Sequence, residues 1–291
     1  MPIKASELIL NPDGSVYHLN LRPEHLANTI ITVGDPDRVG SVTQHFDSIE
    51  FKTHKREFHT QTGTYKGKHI TVISTGIGTD NIDIVFNELD ALVNIDLEKR
   101  EVKSNLTSLD IIRIGTSGSI QKEIPINSFV VSEYAAGFDS LLHFYDSEQI
   151  QNFKISEALK QHTNWYRKKS DPYVVKCSDR LLQAIESEKT VRGFTATNVG
   201  FYGPQGRILR LPIQDNNLND KLASFSYNGK TITNLEMETA GIYGISNLLG
   251  HHSLSMNAII ANRATGKFSD DPKQIVDDLI TYTLNKIVDL D

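Results

Sequence analysis

Residues 110–120 read DIIRIGTSGSI. Asp110–Ile114 is a short β-branched run that gives way to Gly115 and Gly118, a strand followed by a glycine-marked turn. The same grammar recurs outward along the chain. Thr29–Val33 leads into Gly34, Ile70–Ser74 into Gly76 and Gly78, and Ser253–Ile260 into Asn262 and Arg263. These runs are apolar with little alternation, which suits strands buried on both faces. Between them Ile82, Val85, Leu89 and Leu92 have helical spacing, as do Leu181, Leu182 and Ile185. The last segment opens on Asp271-Pro272, a cap and first-turn pair, and carries Val276, Leu279, Ile280 and Ile287 on one stripe. Strands alternating with helices predict an α/β fold with a largely parallel or mixed sheet. Ile95–Ser108 and Gln214–Lys230 are polar and read as surface loops or insertions. No Pro/Ser/Gly-rich linker divides the chain, so residues 1–291 are expected to form a single domain.

Composition narrows the class. The net charge of -6 argues against a nucleic-acid binder, which would usually be basic. The lone Cys177 excludes an internal disulfide and suits a reducing compartment. Met1–Leu10 lacks the apolar run of a signal peptide, and no stretch approaches the roughly 20 apolar residues a spanning helix needs. A cytoplasmic protein without membrane or nucleic-acid partners is expected.

In open α/β sheets ligands bind at the carboxyl ends of strands, so the glycine turns are where chemistry is expected. In TIITVGDPDRV (29–39), Gly34 lets a ligand approach the backbone. Asp35 can cap a short helix that begins at Pro36, and Arg38 lies one turn on. A capped turn with a surface arginine would read the same way. Arg113 lies inside an otherwise apolar strand, where a guanidinium needs an anionic or polar partner. With Thr116, Ser117 and a backbone nest at Gly115–Gly118 it has the composition of a phosphate site. An internal ion pair with a structural carboxylate is the alternative. Arg56, in KREF, reads alone as a solvated hairpin edge.

The stretch GFYGPQGR (200–207) offers aromatic faces in Phe201 and Tyr202, an amide in Gln205 and a guanidinium fork in Arg207. That set matches the edge of a pyrimidine dione; a Gly-Pro turn with scattered polar residues is the plainer reading. In LEMETAGIYG (235–244), Glu238 near a helix start could accept from sugar hydroxyls, or merely complement the helix dipole.

Taken together, VYHLNL, VGDPDRV, KREF, STGIG, RIGTSGSI, GFYGPQGR, NLEMETAG and ANR, in that order, resemble the nucleoside phosphorylase-I family, most closely its uridine-type members. The resemblance runs from Val16 to the C-terminal helix. It implies a central mixed, partly barrel-like β-sheet flanked by helices, and reversible phosphorolysis of uridine to uracil and ribose 1-phosphate. It also implies roles. Gly34, Arg38, Arg113 and Thr116 look like phosphate ligands, and Arg56 like the arginine a neighbouring subunit inserts into the same site. His18 resembles a histidine that crosses a dimer interface to the sugar 5′-hydroxyl. Met237 and Glu238 look like ribose binders, Phe201, Gln205 and Arg207 like the uracil set, and Arg263 like an arginine near the base and its closing loop. At least a dimer with shared sites is implied.

Asp80-Asn81 follow STGIG where the family usually has Pro-Ser. In some bacterial members that serine helps hold a monovalent interface cation with the glutamate matched by Glu57, so the departure counts against the cation here. The longer Ile95–Ser108 segment sets a plain dimer beside the familiar hexamer. No metal or cofactor is expected, because phosphate is a co-substrate that itself attacks the anomeric carbon. A purine phosphorylase, a water-using nucleosidase, a non-catalytic relative and an unrelated phosphate-binding α/β protein are the rival readings.

Overall fold

The computed structural model describes residues 2–290. The chain begins its regular structure with β1 (Thr29–Val33), α1 (Pro36–Thr43), β2 (Ser48–Lys55), β3 (Phe58–Tyr65), β4 (Lys68–Ser74) and α2 (Thr79–Asn94). A two-residue pair, β5 (Ile95–Asp96) and β6 (Glu101–Val102), precedes β7 (Asp110–Ser119) and β8 (Phe129–Gly137). Then come α3 (Phe153–Thr163), β9 (Tyr173–Lys176), α4 (Asp179–Ile185), β10 (Thr190–Thr197) and α5 (Leu218–Ser224). The chain closes with β11 (Ser226–Tyr227), β12 (Lys230–Thr231), β13 (Asn234–Glu236), α6 (Thr239–Leu249), β14 (His252–Asn262), β15 (Lys267–Phe268) and α7 (Pro272–Val288).

One mixed sheet runs β15-β14-β8-β10-β13-β7-β1-β4-β3-β2, with β9 on β8. The additional β14–β7 pairing joins two strands of that path and closes β14, β8, β10, β13 and β7 into a ring. The partly barrel-like α/β sheet implied by the resemblance is therefore what forms. Every residue of β1 is buried, as expected of a strand covered on both faces. The stripe on α2 is Ile82, Val85, Phe86, Leu89 and Leu92, all fully buried. Each contributes roughly 1.5–3 kcal/mol by leaving water. Asp35 caps α1 by accepting from the Asp37 N–H, and Asp271 caps α7 through the Gln274 N–H.

Two local expectations are corrected. β7 does not turn at Gly115–Gly118 but continues extended to Ser119, so no backbone nest forms there. Its second half has partners that a local reading cannot see: Asn257–Asn262 of β14 on one side, Asn234 and Leu235 of β13 on the other. The Gln214–Lys230 segment is not simply loop. It holds α5, seated by buried Leu218 and Leu222, and the small β11–β12 hairpin. Ile95–Ser108 lies at the surface, as expected, and holds the short β5–β6 hairpin followed by irregular chain.

Candidate active site

A cleft of about 690 Å³ opens where β1, β4, β7 and β13 end. A larger space of about 950 Å³ adjoins it, sharing Arg207, but Lys168 and Lys169 at its edge are exposed. The buried Arg113, Glu236 and Glu238 line the smaller cleft together, whereas the larger space holds one buried carboxylate, Asp139, bound to the Tyr173 hydroxyl. Of the residues singled out by sequence, Gly34, Arg38, Arg113, Thr116, Phe201, Gln205, Arg207, Met237 and Glu238 line it. His18, Arg56 and Arg263 do not.

At one end of the cleft two arginines face the same volume. Arg38 reaches it from α1, with its Nη1 donating to the Ile114 carbonyl at 3.3 Å. Burial, and next the charge of Arg113, push the Arg38 pKa down. Among the described residues no carboxylate bonds to its guanidinium, so a bound anion would satisfy it. Arg113 is differently placed. Its Nη2 donates to Glu238 Oε2 at 2.6 Å and lies 3.4 Å from Glu236, while Nη1 donates to Asn257 Oδ1 at 2.9 Å. Burial works against its charge, but Glu236 and Glu238 outweigh it and hold Arg113 firmly protonated. Arg113 thus belongs to an internal ion pair, as the alternative reading had it, and also faces the cleft.

Glu238 stands at the start of α6, yet its side chain does not cap that helix. Its Oε1 accepts from the Gly78 N–H at 2.9 Å. The cap is made by Glu236, whose Oε2 accepts from the N–H groups of Glu238 and Thr239 and from the Thr239 hydroxyl, all at 2.9 Å. The sequence contained both glutamates and gave no means of assigning the two roles. Burial pushes the Glu238 carboxyl up; Arg113 opposes the shift and Glu236 adds to it. Gly78 has φ +98°, so a side chain there would strain the turn that aims its N–H.

The other end of the cleft is built on one loop. Gln205 is buried, and its Oε1 accepts from Arg207 Nη1 at 2.7 Å. The same nitrogen donates to the Phe201 carbonyl at 2.6 Å, and the guanidinium carbon lies 3.7 Å over the Phe201 ring. Amide, guanidinium and aromatic ring are thereby arranged in advance, with one ring face already covered. Arg263 stands behind this loop, its Nη1 donating to the Gln205 carbonyl at 3.0 Å beside a second donor, Asn219 of α5. It braces the loop's main chain. Asn219 was missed in the sequence because the segment carrying it read as polar insertion.

Arg56 and His18 share a different patch. Arg56 is exposed at the tip of the β2–β3 hairpin in the left-handed region, φ +56°, which costs a non-glycine residue about 1–2 kcal/mol. His18 is held by Glu88 of α2, which accepts from its Nδ1 at 2.6 Å and from the N–H groups of His18 and Leu19. That leaves Nε2 as the ring's remaining polar atom. Lys55, beside Arg56, donates to the Tyr17 carbonyl, tying the two segments together.

Among the described residues no group of three or more His, Cys, Asp or Glu gathers to hold a metal, and no helix is long and apolar enough to cross a membrane.

The sequence model of the Phosphorylase superfamily matches residues 28–286. A nucleoside phosphorylase of Trypanosoma brucei, described as showing uridine phosphorylase activity, has a structure similar to this one. The TM-score is 0.87 at 30% identity, covering 97% of this chain and all of that one. A uridine phosphorylase of Thermococcus kodakarensis is 29% identical over 88% of this chain and 80% of its own length. A DeoD-type purine nucleoside phosphorylase of a Shewanella species is 24% identical over 94% and 98%.

Proposed function

Because the chain belongs to the phosphorylase superfamily and is a nucleoside phosphorylase, a pentosyltransferase, we propose that its nucleoside is uridine. The observation that carries this reading is the pair of buried Gln205 and half-buried Arg207 beside Phe201, which presents amide and guanidinium donors to the two carbonyls of uracil. The Gln205 oxygen has a second lone pair for the ring N–H.

In this reading phosphate sits between Arg38 and Arg113, near Gly34 and Thr116, and ribose lies against Met237 and Glu238. A phosphate oxygen forms the new bond to the anomeric carbon as the bond to the base nitrogen breaks, and the electron pair of that bond leaves on uracil. Positive charge grows on the ribose beside the phosphate, and negative charge grows on the base beside Gln205 and Arg207. Donors aimed at charge that develops only in the transition state raise turnover. Glu238 accepts from sugar hydroxyls while Arg113 and Gly78 hold it still.

The test is the ratio of kcat/KM for uridine and inosine, measured with and without phosphate. Uridine is expected to be the better substrate and cleavage to require phosphate. A ratio at or below one would remove the pyrimidine assignment, and phosphate-independent cleavage would make the protein a nucleosidase.

Arg56 and His18 lie outside their own cleft but in one patch, which supports their serving the site of a second copy of this chain. Mixing Arg56→Ala with Arg113→Ala protein should then restore activity, because a mixed dimer keeps one unaltered site. Random pairing would recover about a quarter of the unmodified activity. If subunit exchange is verified and nothing is recovered, the sites are not shared.

A further inference from the structure

We infer that Asn257 is a positioning residue that holds the Arg113 guanidinium in the orientation phosphate needs; this rests on the reading of Arg113 as a phosphate ligand. Asn257 is fully buried in the middle of β14 and does not line the cleft. It reaches Arg113 from the interior of the strand ring. In the β14–β7 register Asn257 lies opposite Gly115, and Arg113 opposite Ser255. The Arg113 side chain folds back over Gly115: a Cβ there would stand 1.9 Å from Nη1. Gly115 therefore leaves the path open, and Asn257 meets the guanidinium at the end of it, 2.9 Å from Nη1.

The amide can point only one way. A guanidinium has donors and no acceptor, so the amide oxygen must face it. The Nδ2 side then donates to Ser255 Oγ at 3.2 Å and, more weakly, to Ser132 Oγ at 3.4 Å. Those hydroxyls are held in turn, Ser255 by Thr239 at 2.9 Å and Ser132 by Thr195 at 2.6 Å. Each of these groups is buried, and a fully partnered buried network fixes a single geometry. Asn257 also directs Arg113 without neutralising it. Glu236 and Glu238 already offset its charge, and a third carboxylate would weaken its pull on a dianion.

The experiment is calorimetric titration with inorganic phosphate, together with KM for each substrate. It compares the unmodified chain, Asn257→Leu, Arg113→Ala and the double variant. Asn257→Leu should weaken phosphate about tenfold, the scale of one hydrogen bond to a charged group. The nucleoside KM should stay within about twofold. In the Arg113→Ala background the second substitution should weaken phosphate no further. A general packing defect would shift both substrates together and would persist without Arg113. Unchanged phosphate affinity in folded Asn257→Leu overturns the inference, as does an equal loss in the Arg113→Ala background. If Arg113→Ala itself leaves phosphate binding unaltered, the phosphate reading of this end of the cleft fails, and the inference with it. Should Asn257→Leu not fold, Asn257→Ser, whose hydroxyl is too short to reach Arg113, decides by the same readings.

Discussion

Arg113→Ala is expected to lower turnover by about 10²–10³, the usual loss when a preorganised donor is removed from a buried charge-stabilising site. Phosphate affinity should fall with it, because the cleft would keep Glu236 and Glu238 and lose the cation between them. The same substitution should cost stability. Removing one partner of a buried ion pair leaves an uncompensated charge, typically at about 3–5 kcal/mol. The pH dependence identifies the cause. Burial already raises the Glu238 carboxyl above its ordinary value, and losing Arg113 removes the group that opposes the shift. A carboxyl raised in the folded state stabilises below its unfolded pKa, and that stability is lost as pH rises through the folded pKa. The deficit of Arg113→Ala relative to the unmodified chain should therefore be greatest at neutral pH and shrink as pH falls into the carboxyl range. Thermal unfolding across pH measures this. A deficit independent of pH would mean that the loss arises from packing and not from the stranded carboxylates.

Arg207→Ala is expected to reduce kcat/KM for uridine by about ten- to more than a hundredfold, the effect of a lost charge-assisted hydrogen bond. The structure ranks it above Gln205→Ala. Arg207 donates to both the Gln205 side chain and the Phe201 carbonyl and covers the Phe201 ring. Its removal loosens all three elements of the base end, whereas Gln205→Ala leaves Arg207 bound to the Phe201 carbonyl. Phosphate affinity should be nearly unchanged in both variants, since neither side chain contacts Arg38 or Arg113. Steady-state kinetics with each substrate varied in turn is the check. A rise in the phosphate KM matching the loss on uridine would mean that the loop supports the whole cleft and not the base alone.

What was legible in the sequence follows the range of the interactions involved. Thr29–Val33 with Gly34, Asp35 and Pro36 announced a strand, a turn and a capped helix, because each signal acts within a few residues. The apolar stripes of α2 and α7 were equally local. Arg113 was visible as a cation in an apolar strand that needed a partner. Asn257 carried the same kind of signal, an amide inside the apolar Ser253–Ile260 run, and the two could have been matched on that ground. The α5 helix was hidden because seven residues with buried Leu218 and Leu222 show too little periodicity against a polar background.

The resemblance of eight short stretches identified the family, and so the ring-like sheet, without any pairing having been derived. By itself the sequence determined the alternation of strand and helix, the capped turns and the inventory of chemical groups. The tertiary structure alone decided that β7 runs straight through its glycines, that Glu236 caps α6 while Glu238 pairs with Arg113, and that Arg263 braces the base loop from behind. Apart from the Glu236 cap, these outcomes depend on partners far away in the chain: Asn257–Asn262 for β7, Arg113 for Glu238 and Gln205 for Arg263. Local propensity carries no information about which distant group will satisfy a buried donor or extend a strand.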